Sequence, residues 1–236
     1  METLDFKRLA IQAGDIILDL GCGEGRHAIA AQAYFPDATV IGIDLNANDL
    51  ATARARSRDF FGEQTQPYFV QGDIYRLPIP DKHIDHVICS EVLEHLHDYP
   101  RALQEMKRML KTGGSLSISV PRAWPEKICW WLSREYHEVE GGHVRIFRAQ
   151  HLRNAICQQR FRFKGRHWAH ALHSPYWWLR CARWNQGEQN RIAALYHRLL
   201  VWDLLKRPRI TRYLEQLLNP VLGKSVVMYF DKQDAQ

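Results

Sequence analysis

Short apolar runs alternate with longer amphipathic stretches along most of this chain, which predicts an α/β fold of strands joined by helical crossovers. Ile16–Leu20 reads as a buried strand and the Ala-rich Arg26–Tyr34 as the helix after it. A second strand covers Thr39–Ile43, and a third ends in Phe69-Val-Gln-Gly-Asp73-Ile74. A fourth begins at Ile84 and leads into Ser90-Glu91-Val-Leu-Glu94-His95-Leu96. Leu103–Leu110 gives an apolar helix face, Gly113 and Gly114 read as its turn and C-cap, and the run to Val120 is a fifth strand. Ala149–Gln158 reads as a helix and Phe161–Leu172 alternates as a sixth strand. Over Asn190–Lys206, Ile192, Leu195, Leu199, Trp202 and Leu205 share one helix face. A short helix at Ile210–Leu218 and a last strand at Ser225–Phe230 follow.

The loop after the first strand carries the chemistry. Asp19-Leu-Gly21-Cys22-Gly23-Glu-Gly25 runs a strand straight into glycines spaced two apart, so the backbone turns sharply and lies close to a ligand. The crevice outside the carboxyl end of such a strand is where open α/β sheets bind cofactors. A dinucleotide loop needs G-x-G-x-x-G, yet Arg26 stands where the third glycine belongs. Asp19 would also set negative charge beside a pyrophosphate, whereas it suits a cationic ligand.

With these residues the chain resembles the class I S-adenosylmethionine-dependent methyltransferases, and more narrowly the small-molecule methyltransferases of ubiquinone and menaquinone biosynthesis. The resemblance rests on five ordered motifs over roughly a hundred residues. It implies a Rossmann-like, doubly wound, mostly parallel seven-stranded sheet with an antiparallel last strand and a helical insertion before it. It also implies S-adenosylmethionine as cofactor. The loop of Asp19, Gly21, Cys22, Gly23 and Gly25 would cradle its methionine part, and Asp44 with Leu45 would meet the ribose. Asp73 and Ile74 would meet the adenine, with Ser90 and Glu91 completing the site. A carboxylate at Asp44 suits a diol because it offers two acceptor oxygens. Asp73, after Gly72, also reads as a turn or N-cap residue.

The 236 residues carry a net charge of +6, unevenly spread. Residues 1–120 hold 12 Lys and Arg against 17 Asp and Glu, and the remainder 20 against 9. All eight tryptophans, at 124, 130, 131, 168, 177, 178, 184 and 202, fall in that basic remainder. The expected organisation is a cofactor-binding core over 1–120 and the rest of the core with an acceptor segment over 121–173. A helical aromatic and basic lid follows over 174–222, then the last strand and tail over 223–236. No run approaches the ~18 apolar residues of a membrane span, and the first residues lack a signal peptide's apolar core. Five cysteines (22, 89, 129, 157, 181) without a C-x-x-C pair suggest reduced thiols and a cytoplasmic, membrane-associated or freely soluble, enzyme.

The acceptor is expected between Trp124-Pro-Glu-Lys-Ile-Cys-Trp-Trp and Tyr176-Trp177-Trp178, with Trp124, Tyr136, His137, His143, Tyr176 and Trp177 lining its pocket. Most of these rings read as the lid's own core, although two adjacent tryptophans cannot both fit one narrow helix face. The catalytic candidates are His95 and His143. Glu91, Glu94 and His95 stand at i, i+3 and i+4, so a helix from Glu91 would place them on one face, with His95 as a candidate general base. The same Glu-x-x-Glu-His spacing resembles some ubiquinone-pathway O-methyltransferases, where it implies a divalent metal site. It is also similar to family members without one, where it is helix N-terminal charge and packing, and the expectation is no metal. A small hydrophobic or aromatic acceptor is the main reading. The alternatives are tRNA or other RNA, whose phosphates the basic half would neutralise, and a cofactor-binding protein without catalysis. A lid resting on a membrane surface is a further expected contact.

Overall fold

The computed structural model describes residues 2–139, 141–184, 191–206 and 208–233. Asn190, at the head of one expected helix, and the end of the expected polar tail lie outside the described residues. The strands are β1 (Ile16–Leu20), β2 (Thr39–Asp44), β3 (Tyr68–Gln71), β4 (Ile84–Ser90), β5 (Leu110–Pro121), β6 (Phe161–Ala169) and β7 (Ser225–Lys232). They form one sheet in the order β3-β2-β1-β4-β5-β7-β6. β1 to β5 run parallel, and β7 is antiparallel to both neighbours. The expected doubly wound sheet with a reversed last strand is what the chain forms.

Strand alternation divides the core. Leu18, Leu20, Val87 and Cys89 point to one face, where α3 (Tyr99–Met109) and α6 (Ala149–Gln158) cover them with Leu103, Met106, Leu152 and Ile156. Ile17, Val40, Ile88 and Val227 point to the other, under α1 (Arg26–Tyr34) and α2 (Ala47–Phe61). Both faces bury fully apolar side chains, as a parallel sheet with helices on each side requires.

Two local expectations change. Gly113 and Gly114 do not stop α3: the helix closes at Leu110, whose N–H donates to the Met106 carbonyl. The Lys232 ammonium from β7 donates to the freed carbonyls of Lys107 and Leu110 at 2.7 and 2.6 Å, so a side chain from across the sheet does the work of a glycine cap. The glycines instead lie inside β5, where a Cβ on Gly114 would meet the Asp85 carbonyl oxygen at 2.9 Å. Nor does a helix begin at Glu91. That residue takes φ +55°, its N–H donates to the Ser119 carbonyl, and only a single 3-10 turn, Leu93–His95, precedes α3.

After β5 come α4 (Ala123–Leu132) and a single turn, α5 (Glu135–Glu138). Between β6 and β7 lie α7 (His173–Ala182), α8 (Arg191–Lys206) and α9 (Arg209–Leu222). The α9 helix outruns the expected Ile210–Leu218 and runs through Pro220 in its last turn, which leaves the Gln216 carbonyl without its intrahelical donor. The predicted apolar face of α8 does form, but it looks outward: Leu195 and Leu205 are 70% and 74% exposed, while Ala193 and Leu200 are the residues buried.

Candidate functional site

The crevice opens at the carboxyl ends of β1, β2 and β4. The Gly21 and Cys22 N–H groups donate to the Ile43 carbonyl at 2.8 and 3.0 Å, fixing the glycine loop to the end of β2. Asp44 completes the clamp by accepting from Gly23 N and Asn46 N, each at 2.8 Å. Gly21 holds φ +69°, and a Cβ there would overlap the Val92 side chain. Gly25 at φ +82° begins α1, and its Cβ would collide with Ala53 and Phe69 at 2.9 Å. Gly25 therefore packs against α2 and β3, facing away from the crevice.

A cleft of about 540 Å³ results. Of the residues expected at the cofactor, Gly21, Asp44, Leu45, Asp73, Ile74 and Glu91 line it. Asp49, Tyr75, Val92, His95, Leu96 and Gly141 line it as well, and of these the sequence had offered only His95. Asp73 accepts from Tyr75 N at 2.9 Å, so it serves as a turn residue and a wall residue together. Four carboxylates face this space and no Lys or Arg among the described residues does. Such a wall favours cations and hydroxyls and opposes a pyrophosphate.

Behind it stand Asp19, Cys22, Gly23 and Ser90. Asp19 is 1% exposed, its Oδ2 has no hydrogen-bond partner, and burial pushes its carboxyl up to about 7. An orphaned acceptor just under a glycine loop is suited to receive an ammonium. Burial also drives the Cys22 thiol well up, so that sulfur is inert packing. Ser90 Oγ and Ser119 Oγ are 2.8 Å apart, and Ser119 Oγ donates to Glu91 Oε1 at 2.8 Å. Ser119 thus fixes the carboxylate at the cleft wall, a role with no sequence signal because it comes from the neighbouring strand.

The catalytic candidates meet at the far end. The His95 and His143 rings lie 4.9 Å apart, edge to face. His95 Nδ1 lies 3.2 Å from the Gly142 carbonyl and so donates to it, while burial and the neighbouring His143 hold its pKa down. His143 Nδ1 lies 2.5 Å from Glu126 Oε1 on α4, and Glu126 is 2% exposed. Burial pushes the Glu126 carboxyl up, but the bond and charge of His143, then Lys224 and Trp130, overcome it and leave it below the usual value. A buried ionised carboxylate fixes the proton on His143 Nδ1 and leaves Nε2 as the basic atom. Tyr136 OH donates to the other Glu126 oxygen at 3.3 Å, and its ring stands edge-on to His143. Sequence reasoning missed Glu126 because it sits in a Trp-rich helix that reads as packing.

The expected set of Glu91, Glu94 and His95 is not brought together; Glu94, His95 and His143 are instead. Each of these offers one ligand atom, all within 4.8 Å of one another, and both Glu94 oxygens are buried without partners. Burial, then the Glu91 charge, raises the Glu94 carboxyl well above its ordinary value.

The aromatic residues mostly satisfy one another. Trp124 packs on Trp178, His137 stacks on Trp130, and Tyr136 contacts Trp177 and Trp184. Tyr176 turns towards Tyr196 and His197 of α8. Of the adjacent pair, Trp130 donates inward to Glu126 at 3.1 Å, while Trp131 is 83% exposed.

Residues 18–118 match the methyltransferase domain family. The chain is 37% identical over 116 residues to a demethylmenaquinone methyltransferase of Lactobacillus johnsonii, covering 48% of this chain and 46% of that one. It spans about half the length of the curated relatives it matches. Among solved structures, YcgJ of Bacillus subtilis superposes over 98% of this chain and 97% of its own with a TM-score of 0.65 at 18% identity. The [4+2]-cyclase SpnF does so over 98% and 78% with a TM-score of 0.64, also at 18%. The segment that builds the glycine loop, the two strand-end acids and the cleft floor is thus similar to methyltransferase domains, in a chain that shares their fold.

Proposed function

We propose that this chain methylates a small apolar or aromatic acceptor whose nucleophile carries a proton, with His143 as the base and Glu126 holding it in place. The observation that carries this reading is the His143–Glu126 pair at the end of the acid-walled cleft. S-adenosylmethionine supplies a methyl group already activated on a sulfonium, so the chain contributes position and a proton acceptor. Asp44 accepts from the ribose hydroxyls, Asp73 and Ile74 hold the adenine, and Asp19 and the glycine loop face the methionine ammonium. His143 Nε2 takes the acceptor's proton, and buried Glu126 steadies the imidazolium. His95, edge-on to His143, closes the wall. A quinol or phenol is the favoured acceptor class, supported by the names of the relatives and by Tyr136, which stands edge-on to His143 and is itself backed by Trp177 and Trp184.

The lid supports a membrane-surface docking role that would deliver such an acceptor. On α9, Ile210, Tyr213, Leu214, Leu217 and Val221 form one exposed stripe at helical spacing, and α8 adds its own outward leucines and Trp202. The outward charges beside them are Arg191, Arg198, Lys206, Arg209 and Arg212, whereas Asp203 and Glu215 turn inward. An apolar stripe flanked only by cations fits an anionic lipid surface. It fits RNA less well, because leucines interrupt the basic surface. No described helix is long and apolar enough to cross a membrane.

The test is transfer of labelled methyl from S-adenosylmethionine to a panel of quinols and phenols, alongside bulk tRNA. Label in an aromatic acceptor, lost in His143→Ala, is expected. Label in tRNA alone would overturn the acceptor class, since SpnF shows that this fold also serves chemistry named otherwise.

A further inference from the structure

A second group of ligating side chains lies outside the cleft, where the end of β6, the head of α7 and the middle of α9 meet. His170, His173 and Glu215 each offer one ligand atom, and these atoms all lie within 4.8 Å of one another. The His170 and His173 rings are 5.4 Å apart. His170 Nδ1 stands 3.9 Å from Glu215 Oε1, beyond hydrogen-bond reach, with the two side chains only 11% and 18% exposed.

The remaining contacts aim these groups at a common point. His170 Nε2 lies 3.0 Å from Thr3 Oγ1, and with the proton held there its Nδ1 lone pair faces the carboxylate. Metal-bound histidines are oriented in this way by a hydrogen bond on the other ring nitrogen. Glu215 Oε1 and His173 Nδ1 are both buried with no hydrogen-bond partner. Buried polar atoms are ordinarily paired, so two orphans within one small cluster call for a missing partner. His170 also takes φ +66°, a backbone conformation rare for a residue with a side chain.

We propose that His170, His173 and Glu215 bind a first-row divalent transition ion, Zn²⁺ in the ordinary case. Two imidazole nitrogens and one carboxylate oxygen are a zinc donor set, whereas Mg²⁺ and Ca²⁺ require oxygen throughout. The ion ties α9, the outer helix of the lid, to the end of β6 and the head of α7. The helical insertion is thereby clamped to the sheet at a point separate from the cleft.

The full chain, stripped with a chelator and dialysed, is titrated with Co²⁺ as a spectroscopic stand-in and then with Zn²⁺. Because Glu94, His95 and His143 form another group of potential ligands, the titration is run in a His95→Ala, His143→Ala background. One Co²⁺ taken up with visible absorption bands, displaced by Zn²⁺, and a raised melting temperature are expected. Adding Glu215→Gln should weaken that binding by more than about tenfold. No uptake in the background variant, or unchanged uptake with Glu215→Gln, would overturn the proposal. Should Glu215→Gln fail to fold, diethyl pyrocarbonate labelling of His173 in the unaltered chain decides: protection by Zn²⁺ supports the site and equal labelling refutes it.

Discussion

The acid-walled cleft and the helices between β6 and β7 differ in how they use the same kinds of residue. In the cleft, Asp44, Asp73 and Glu91 stand just at or past strand ends with their carboxylates set by backbone or hydroxyl donors, above the buried apolar core. On α8 and α9 the outward charges are basic and most of the leucines face outward. A site that binds one fixed ligand needs polar groups preorganised on rigid elements, and the sheet supplies them. A surface that receives a varied or fluid partner needs area and charge without fixed geometry. The His143–Glu126 pair lies at the seam, held by α4 and the segment after α5.

The largest effect should come from breaking that seam. His143→Ala is expected to lower kcat by about a hundredfold or more, within the usual range for a general base, with cofactor affinity unchanged. Glu126→Gln should follow it and shift the pH–rate profile, since the imidazolium loses its carboxylate. An equal loss of cofactor affinity would place His143 in the cleft's binding work.

Next is Asp44→Ala, expected to weaken S-adenosylmethionine by more than about tenfold, roughly 1.4 kcal/mol, in calorimetry. On the lid side, Leu214→Lys with Leu217→Lys should reduce co-sedimentation with anionic vesicles by about tenfold and leave turnover of a water-soluble acceptor unchanged. Equal sedimentation of variant and parent would remove the membrane from the account.

Asp19 gives a smaller and more specific effect. Burial raises its carboxyl from 3.8 to about 7, so the native ligand-free chain holds a proton that the unfolded chain releases. Its contribution to stability therefore falls as pH rises between those values and is level above about 7. Melting curves of Asp19→Asn should lose that slope across the window and lie above the parent at neutral pH, while cofactor binding weakens. The smallest effect concerns metal at the catalytic end: chelation with EDTA should change kcat less than about twofold for a chain that uses His143 as a base. A large loss restored by a divalent ion would move catalysis to Glu94, His95 and His143.

The legibility of the chain follows the same division. The parallel strands, the glycine loop and Asp44 were readable because strand ends and tight turns are local and restrict residue type. The cleft's other wall was not. Glu91, Glu94 and His95 have helical spacing, but Glu91 sits at positive φ where β4 leaves the sheet, and the fold groups Glu94 and His95 with His143 in its place. Glu126 reaches His143 across seventeen positions, a contact that only the fold creates. The α8 stripe was seen as a face, yet periodicity reports amphipathicity and not which side meets the core. Lys232 capping α3 from the far strand is a tertiary contact with no local mark.

The central claim is that the acid-walled cleft holds S-adenosylmethionine with Asp44 as a principal contact. Calorimetric titration of the cofactor into the parent chain and Asp44→Ala tests it most directly. The expected result is one site per chain in the parent and more than tenfold weaker binding in the variant, with its melting temperature retained. No binding to the parent, or equal affinity in a folded variant, would contradict it.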